Sequence, residues 1–286
     1  MKKILHILLT SLFLLSCKEQ FENSDESLLV VEGWIEDGGF PVVMVTKSVP
    51  VSAERRDISE LSSYIVRYAR VVVYEGEDSV VLTGKYNDAY FPPYIYTTSR
   101  MRGKSGKEYR LKVEYEEQVA TAVTTVPQRP HADSMVVSHS GTDGSLFLIT
   151  AYFHDIPDEK NYYQFFTRVG ADNRQFLASY LGSVDDAVLG DGVVAVPVYR
   201  GKSVVTSLEH YTPFFLESDT VAVKFSCVDE YSFRFWKEYS KSLSLSKNMF
   251  FGTSQSLPSN IQGGLGFWGG YGSDTRYFVI PDCVGR

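Results

Sequence analysis

Glu108-Tyr109-Arg110-Leu111-Lys112-Val113-Glu114-Tyr115-Glu116 alternates without a break, every odd position apolar or aromatic and every even one charged. Successive side chains on an extended chain point to opposite faces, so this run is a strand with one face buried and the other in water. Similar runs occur at Leu28–Ile35, Val42–Val51, Ala69–Tyr74, Val80–Lys85 and Val119–Val126. Turn chemistry such as Asp37-Gly38-Gly39 and Gly76-Glu77-Asp78 separates them. Short strands at this spacing, with no helical periodicity between them, predict a β-sandwich over residues 28–128. Pro127 and Pro130 then punctuate the chain and mark the expected boundary.

A second sandwich is expected over residues 129–286, opening with strands near Ser134–Ser138 and Leu146–Phe153 joined through Thr142-Asp143-Gly144. Further strands are expected at Tyr162–Val169, Gln175–Leu181, Val193–Tyr199, Thr220–Ser226 and Arg276–Ile280. One helix interrupts them, at about 229–247. There Tyr231, Phe235, Tyr239 and Leu243 recur every fourth residue with Trp236 beside them, and Ser226 or Asp229 can cap the start. The stripe is expected to pack on the sandwich. The fold class is therefore mainly β: two β-sandwiches, with one helix in the second; in kind they look similar to Ig-like or transthyretin-like sandwiches.

The amino terminus carries an address. Lys2 and Lys3 precede an apolar run, Ile4–Leu15, that is too short to span a bilayer, and it ends in Leu14-Leu15-Ser16-Cys17. Residues 1–16 read as a signal peptide and Cys17 as the lipobox cysteine, whose thiol takes a diacylglycerol as a thioether. Several acyl chains on Cys17 would hold the protein to membrane lipid, because each buried methylene contributes roughly 0.8 kcal/mol. The polar stretch after Cys17, to residue 27, cannot bury enough surface to fold and reads as a tether.

Loss of Lys2 and Lys3 with the leader leaves 26 basic against 35 acidic side chains, a formal charge of −9. Such a body is repelled by phosphate backbones, which excludes nucleic acid as an expected partner. Cys227 and Cys283 are the cysteines left beyond Cys17. In an exported protein they can pair, closing a loop that would add roughly 4 kcal/mol of stability, or stand as two independent buried thiols.

Several segments resemble an envelope lipoprotein family of Bacteroidota known as domain-of-unknown-function family 4249. They are Leu29-Val30-Val31-Glu32-Gly33-Trp34-Ile35, Gly106-Lys107-Glu108-Tyr109-Arg110-Leu111, Thr125-Val126-Pro127, Asp155-Ile156-Pro157 with Asn161-Tyr162-Tyr163, and Asp219-Thr220-Val221. The last and most specific is Ser259-Asn260-Ile261-Gln262-Gly263-Gly264-Leu265-Gly266-Phe267-Trp268. The resemblance implies an outer-membrane lipoprotein associated with a TonB-dependent receptor. It carries over no catalytic residue.

Two aromatic segments are candidate contact sites. Gly264-Leu265-Gly266-Phe267-Trp268-Gly269 matches a dinucleotide fingerprint in letters, but it follows the Pro258-Ser259-Asn260 turn and runs on into Gly270-Tyr271-Gly272, which cannot start a helix. A tight loop is expected instead, with Phe267, Trp268 and Tyr271 either plugging the core or meeting a ligand. Tyr90, Phe91, Tyr94 and Tyr96 lie in a proline-stiffened stretch between strands, where they either cap the sandwich end or contact a sugar or a protein. His131, His139, His154 and His210 have no ligand spacing, so neither a metal nor another cofactor is expected. No nucleophile elbow occurs, and no catalytic residue is named. Asp78-Ser79-Val80, Asp133-Ser134-Met135 and Asp219-Thr220-Val221 resemble a three-residue O-glycosylation acceptor.

The expectation is a non-catalytic outer-membrane lipoprotein, cell-surface or periplasmic, that assists a TonB-dependent uptake system by capturing a ligand or touching the receptor. The alternative is a surface adhesion or scaffold protein. Radiolabelled palmitate should enter the wild-type product and not the Cys17→Ser variant; equal labelling of the two would remove the membrane anchor from this reading.

Overall fold

The computed structural model describes residues 27–48, 62–141, 144–155, 160–170, 175–185, 192–202, 211–245 and 257–281. The leader, Cys17, the tether to residue 26, the 142–143 turn, His210 and Cys283 lie outside these residues. So does any helix beyond 245.

The chain is mainly β. Its strands run β1 (Leu29–Glu36), β2 (Val42–Lys47), β3 (Arg70–Glu75), β4 (Asp78–Val81), β5 (Thr83–Tyr86), β6 (Tyr94–Thr97), β7 (Glu108–Tyr115) and β8 (Gln118–Thr125). They continue as β9 (Ser134–His139), β10 (Leu146–Phe153), β11 (Tyr162–Val169), β12 (Leu177–Asp185), β13 (Val194–Val198), β14 (Phe215–Leu216), β15 (Thr220–Val228) and β16 (Leu265–Val279), with one α-helix among the described residues, α1 (Glu230–Leu245), before β16.

The alternating stretch at 108–115 forms β7, with Tyr109, Leu111 and Val113 buried and Glu108 and Arg110 exposed. It lies inside a four-stranded sheet of order β4-β3-β7-β8. A second four-stranded sheet joins β9, β10, β13 and β14. Both pack on one large sheet of order β12-β11-β15-β16-β1-β2-β6-β5. The first core is the space between β3, β7, β8 and the β1, β2, β6 half of that sheet, filled by Leu29, Val43, Val71, Tyr96, Leu111 and Trp268 among others. The second lies between β10, β13 and the β11, β15 half, where Phe153, Phe165 and Phe225 pack as an aromatic cluster with Phe165 stacked on Phe225 at 4.6 Å.

The large sheet crosses the expected boundary. Pro127 and Pro130 do separate the two smaller sheets, but β16 serves both sandwiches. Its first half pairs in parallel with β1, from Val30↔Leu265 to Glu36↔Tyr271, and its second half pairs antiparallel with β15, from Val228↔Tyr271 to Thr220↔Val279. Residues 261–268, assigned by chain order to the second sandwich, therefore return to the first core, where Ile261 and Trp268 are buried.

The glycine-rich segment is thus a strand, and the expectation of a tight loop there is corrected. Glycine weakens a strand that has room for side chains, but this one is crowded on both faces, by side chains of α1 and β16 on one and by backbone on the other. A Cβ on Gly269 would strike Ser232 Oγ of α1, and one on Gly270 would strike the Thr125 carbonyl at the end of β8. At Gly266, φ is +108° and the missing Cβ would point into the Val31 carbonyl oxygen of the paired strand. Asn260 completes the edge: its side chain donates to Trp268 O at 2.8 Å and accepts from Trp268 N at 2.9 Å. The Trp268 indole donates to Tyr109 O at 3.0 Å, joining β16 to β7 across the core.

Two further corrections concern the first sandwich. The run Val80–Lys85 divides at buried Leu82 into β4 and β5, which belong to different sheets, so the chain turns a sandwich corner inside it. Tyr94–Thr97, expected between strands, is β6, paired with both β2 and β5.

Gly266→Ala and Trp268→Ala should each lower unfolding free energy by about 3 kcal/mol or more, the first through backbone strain and a clash, the second through a core cavity. Gly192→Ala, where a Cβ meets open space, should change it by less than about 0.5 kcal/mol. Urea titration gives these values, and a Gly266→Ala midpoint equal to that of Gly192→Ala would remove the close strand approach as a determinant of the fold.

Candidate functional site

Alternation along β1 buries Leu29, Val31 and Ile35 in the first core, so Glu32, Trp34 and Glu36 point to the opposite, back face of the large sheet. The same parity sends Phe166 and Arg168 of β11, Lys224 of β15, Phe267 and Tyr271 of β16, and Val42 of β2 to that face. Among the described residues no second sheet covers it. The helix α1 covers part of it, contacting β11, β12 and β16.

The Asp229 carboxylate positions α1. It caps the helix by accepting from Ser232 N at 2.7 Å, and its other oxygen accepts from the Thr124 hydroxyl of β8. The buried face of α1 is Ser232, Phe233, Phe235 and Trp236, with Tyr239 partly covered, and it packs on Tyr162, Phe166, Phe267 and Tyr271. Tyr231, expected in the stripe, is 56% exposed. Strict four-residue spacing drifts about 40° per step around a helix, so the buried arc alternates three- and four-residue steps and leaves Tyr231 outside.

Beside α1 the back face opens into a cleft of about 470 Å³. Trp236 of α1 forms one wall and Tyr90, in the 87–93 connection, another; Trp34, Glu36, Lys224 and Tyr271 form the floor, and Arg168 and Phe176 the far side. Both sandwiches contribute. The 87–93 connection reaches across, with Ala89 O accepting from Gln175 N just before β12 at 3.0 Å, and it is braced by Asn87, whose side chain accepts from Ala89 N. The Phe91–Pro92 peptide within it is cis. A second hollow of about 490 Å³ near Val81, Lys85 and Arg100 has one ring, Phe40, on its wall.

An ion pair crosses the cleft floor between the sandwiches. Lys224 Nζ lies 2.5 Å from Glu36 Oε1, the two side chains 11% and 20% exposed, so the pair is largely withdrawn from water. Lys224 also sits 4.3 Å from the Phe176 ring centroid and Arg168 4.7 Å from it, both in cation–π range. The Arg168 Nε is buried and meets no hydrogen-bond acceptor among the described residues. Burial, and after it Glu36, pushes the Tyr90 phenol above its usual pKa. Burial holds Tyr271 far higher, although the Trp236 indole donates to its oxygen at 3.0 Å. Both phenols therefore stay protonated at neutral pH. Chemically, the cleft offers ring faces, fixed donors and an excess of positive charge.

Of the residues named from sequence, Tyr90 and Tyr271 meet in this cleft. Phe267 is buried under α1, its ring tilted against Phe235 with centroids 4.1 Å apart, while Trp268 and Tyr96 lie in the first core. Tyr94 packs at that core's edge with its hydroxyl on Arg67 O, and Phe91 is half-buried. Core plugging thus describes Phe267, Trp268 and Tyr96, and burial removes them as ligand contacts. Trp34, Glu36, Arg168, Phe176, Lys224 and Trp236 went unnamed as site residues. A cue existed for two of them: Arg168 and Lys224 are each the one charged residue of a largely buried strand. Cys227 is buried in the second core, and its pairing with Cys283 lies outside the described residues. Ser79, Ser134 and Thr220 of the three acceptor-like motifs are all exposed.

Glu32 shares the back face, next to Met44 and Phe267 in register. The residue keeps partial exposure, but burial of its carboxyl pushes the pKa up to about 7 from an ordinary 4.5; burial, and beyond it the Glu32 charge, raises the phenols of Tyr239 of α1 and Tyr271. A carboxyl that holds its proton more tightly when folded makes stability fall as pH rises from about 4.5 through about 7. Glu32→Gln should flatten that decline and raise the melting temperature at pH 8. An unchanged pH slope between wild type and variant would show that Glu32 does not titrate there.

A search of curated proteins returns no match. The family described as "Domain of unknown function (DUF4249)" matches residues 18–277, nearly the whole chain from just after Cys17 to the end of β16. The chain belongs to the DUF4249 family.

Proposed function

We propose that the protein is a non-catalytic outer-membrane lipoprotein of Bacteroidota that captures a small ligand in the back-face cleft and serves a TonB-dependent uptake system. The observation that carries this reading is the cleft itself: ring walls and fixed charges contributed jointly by two sandwiches and held by the Glu36–Lys224 pair and the Ala89–Gln175 hydrogen bond. Its size falls in the range of small-molecule sites, which run from about 300 to 1,000 Å³. The lipobox at Cys17 supports attachment to a membrane, where capture near a receptor raises the local ligand concentration.

A second reading rests on a different observation. Tyr277 and Val279, at the far end of β16 on the same back face, are 69% and 73% exposed, as a surface adhesion or scaffold protein would use for contact. Affinity purification of the native lipoprotein from gently solubilised membranes separates the two. A TonB-dependent receptor should be recovered with it, and gene deletion should impair nutrient import. Recovery without any receptor, together with weakened envelope attachment and normal import, would favour the scaffold.

A further inference from the structure

We infer that the cleft is built for a small organic monocarboxylate whose body is a ring. This deepens the capture reading and rests on it. Among the lining residues Lys85, Arg168 and Lys224 are cationic and Glu36 is the acid, in a chain whose formal net charge is −7. The cleft therefore runs against the charge of the molecule around it.

The charges are not equivalent. Glu36 already compensates Lys224 at 2.5 Å, and Lys85 is exposed at the rim. Arg168 forms no ion pair among the described residues, and its buried Nε has no acceptor. Arg168 as a whole is half-buried, so its guanidinium lines the cleft with no counter-charge of its own among the described residues. The Phe176 ring, 4.7 Å from the guanidinium carbon, covers one face of the group and leaves its edge to bond. A carboxylate matches that edge, taking N–H groups from the two terminal nitrogens in a planar fork. A dianion such as phosphate would bring a second negative charge toward the Glu36 carboxylate. One half-buried cation without a counter-charge thus favours a monoanion. Trp34 and Tyr90, with ring centroids 6.1 Å apart and planes at 35°, supply faces for the rest of the ligand.

Trp34 and Trp236 both line the cleft, so tryptophan emission of the detergent-solubilised native lipoprotein reports occupancy, and calorimetry reports binding independently. The probes are benzoate against benzamide, galacturonate against galactose, and inorganic phosphate. At least one carboxylate should bind about ten-fold or more tighter than its neutral partner and tighter than phosphate, with the preference shrinking as salt is added. Arg168→Gln should abolish the preference. Arg168→Lys, which keeps the charge but not the fork, should lose most of it. The salt series uses wild-type protein, so it decides even where a variant is unstable. Equal binding of acid and neutral partner, or tighter binding of phosphate, would overturn the carboxylate inference while leaving capture intact. Silence toward every probe in both measurements would overturn it too, and receptor recovery would then decide the capture reading separately.

Discussion

The parallel pairing of β1 with the first half of β16 holds the rest of the structure in place. An early strand and the last one must lie side by side, with Gly266 against the Val31 carbonyl and Trp268 inserted into the first core. Because β16 continues straight on to pair with β15, that contact turns two sandwiches into neighbours on one eight-stranded sheet. Side chains would prevent it. The strand passes between α1 on one face and the end of β8 on the other, and only glycine at 269 and 270 leaves room for both.

The back-face cleft follows from this sharing. Glu36 ends β1 opposite Tyr271 and Lys224 lies on β15 opposite Thr275, so their ion pair spans β16 between those two residues, just past the point where the two pairings meet. A pair this far from water has a large desolvation penalty to offset, and its structural value lies in the register it enforces between the sandwiches. Asp229 acts at the same junction, capping α1 while holding Thr124 of β8. Helix, linker and terminal strand are thus coupled, and the cleft between Trp236 and Tyr90 inherits their fixed spacing.

The binding chemistry depends on burial. In water a lysine and an arginine near a phenylalanine would be ordinary solvated charges. Here Phe176 lies against both, Glu36 satisfies one of them, and the Nε of the other is sealed from solvent. Low local polarity makes the remaining charge a strong selector.

Strand content was legible in the sequence wherever one face meets a core and the other water, because a period of two is written directly in the residues, as at 108–116. The helix was legible for a similar reason, although its true buried arc put Phe233 inside and Tyr231 outside. The glycine-rich end was not, since propensity penalises glycine in strands and the compensation comes from backbone segments far away in the chain. Nor were most cleft residues, for Glu36, Arg168 and Lys224 are separated by more than a hundred positions from first to second and meet only because three strands share a sheet. The sequence by itself determined the alternation, the caps, the net charge and the Cys17 motif, all of which depend on neighbours along the chain. Tertiary structure alone decided which sandwich β16 completes and which charges face each other, because those depend on strand order, which local sequence does not encode.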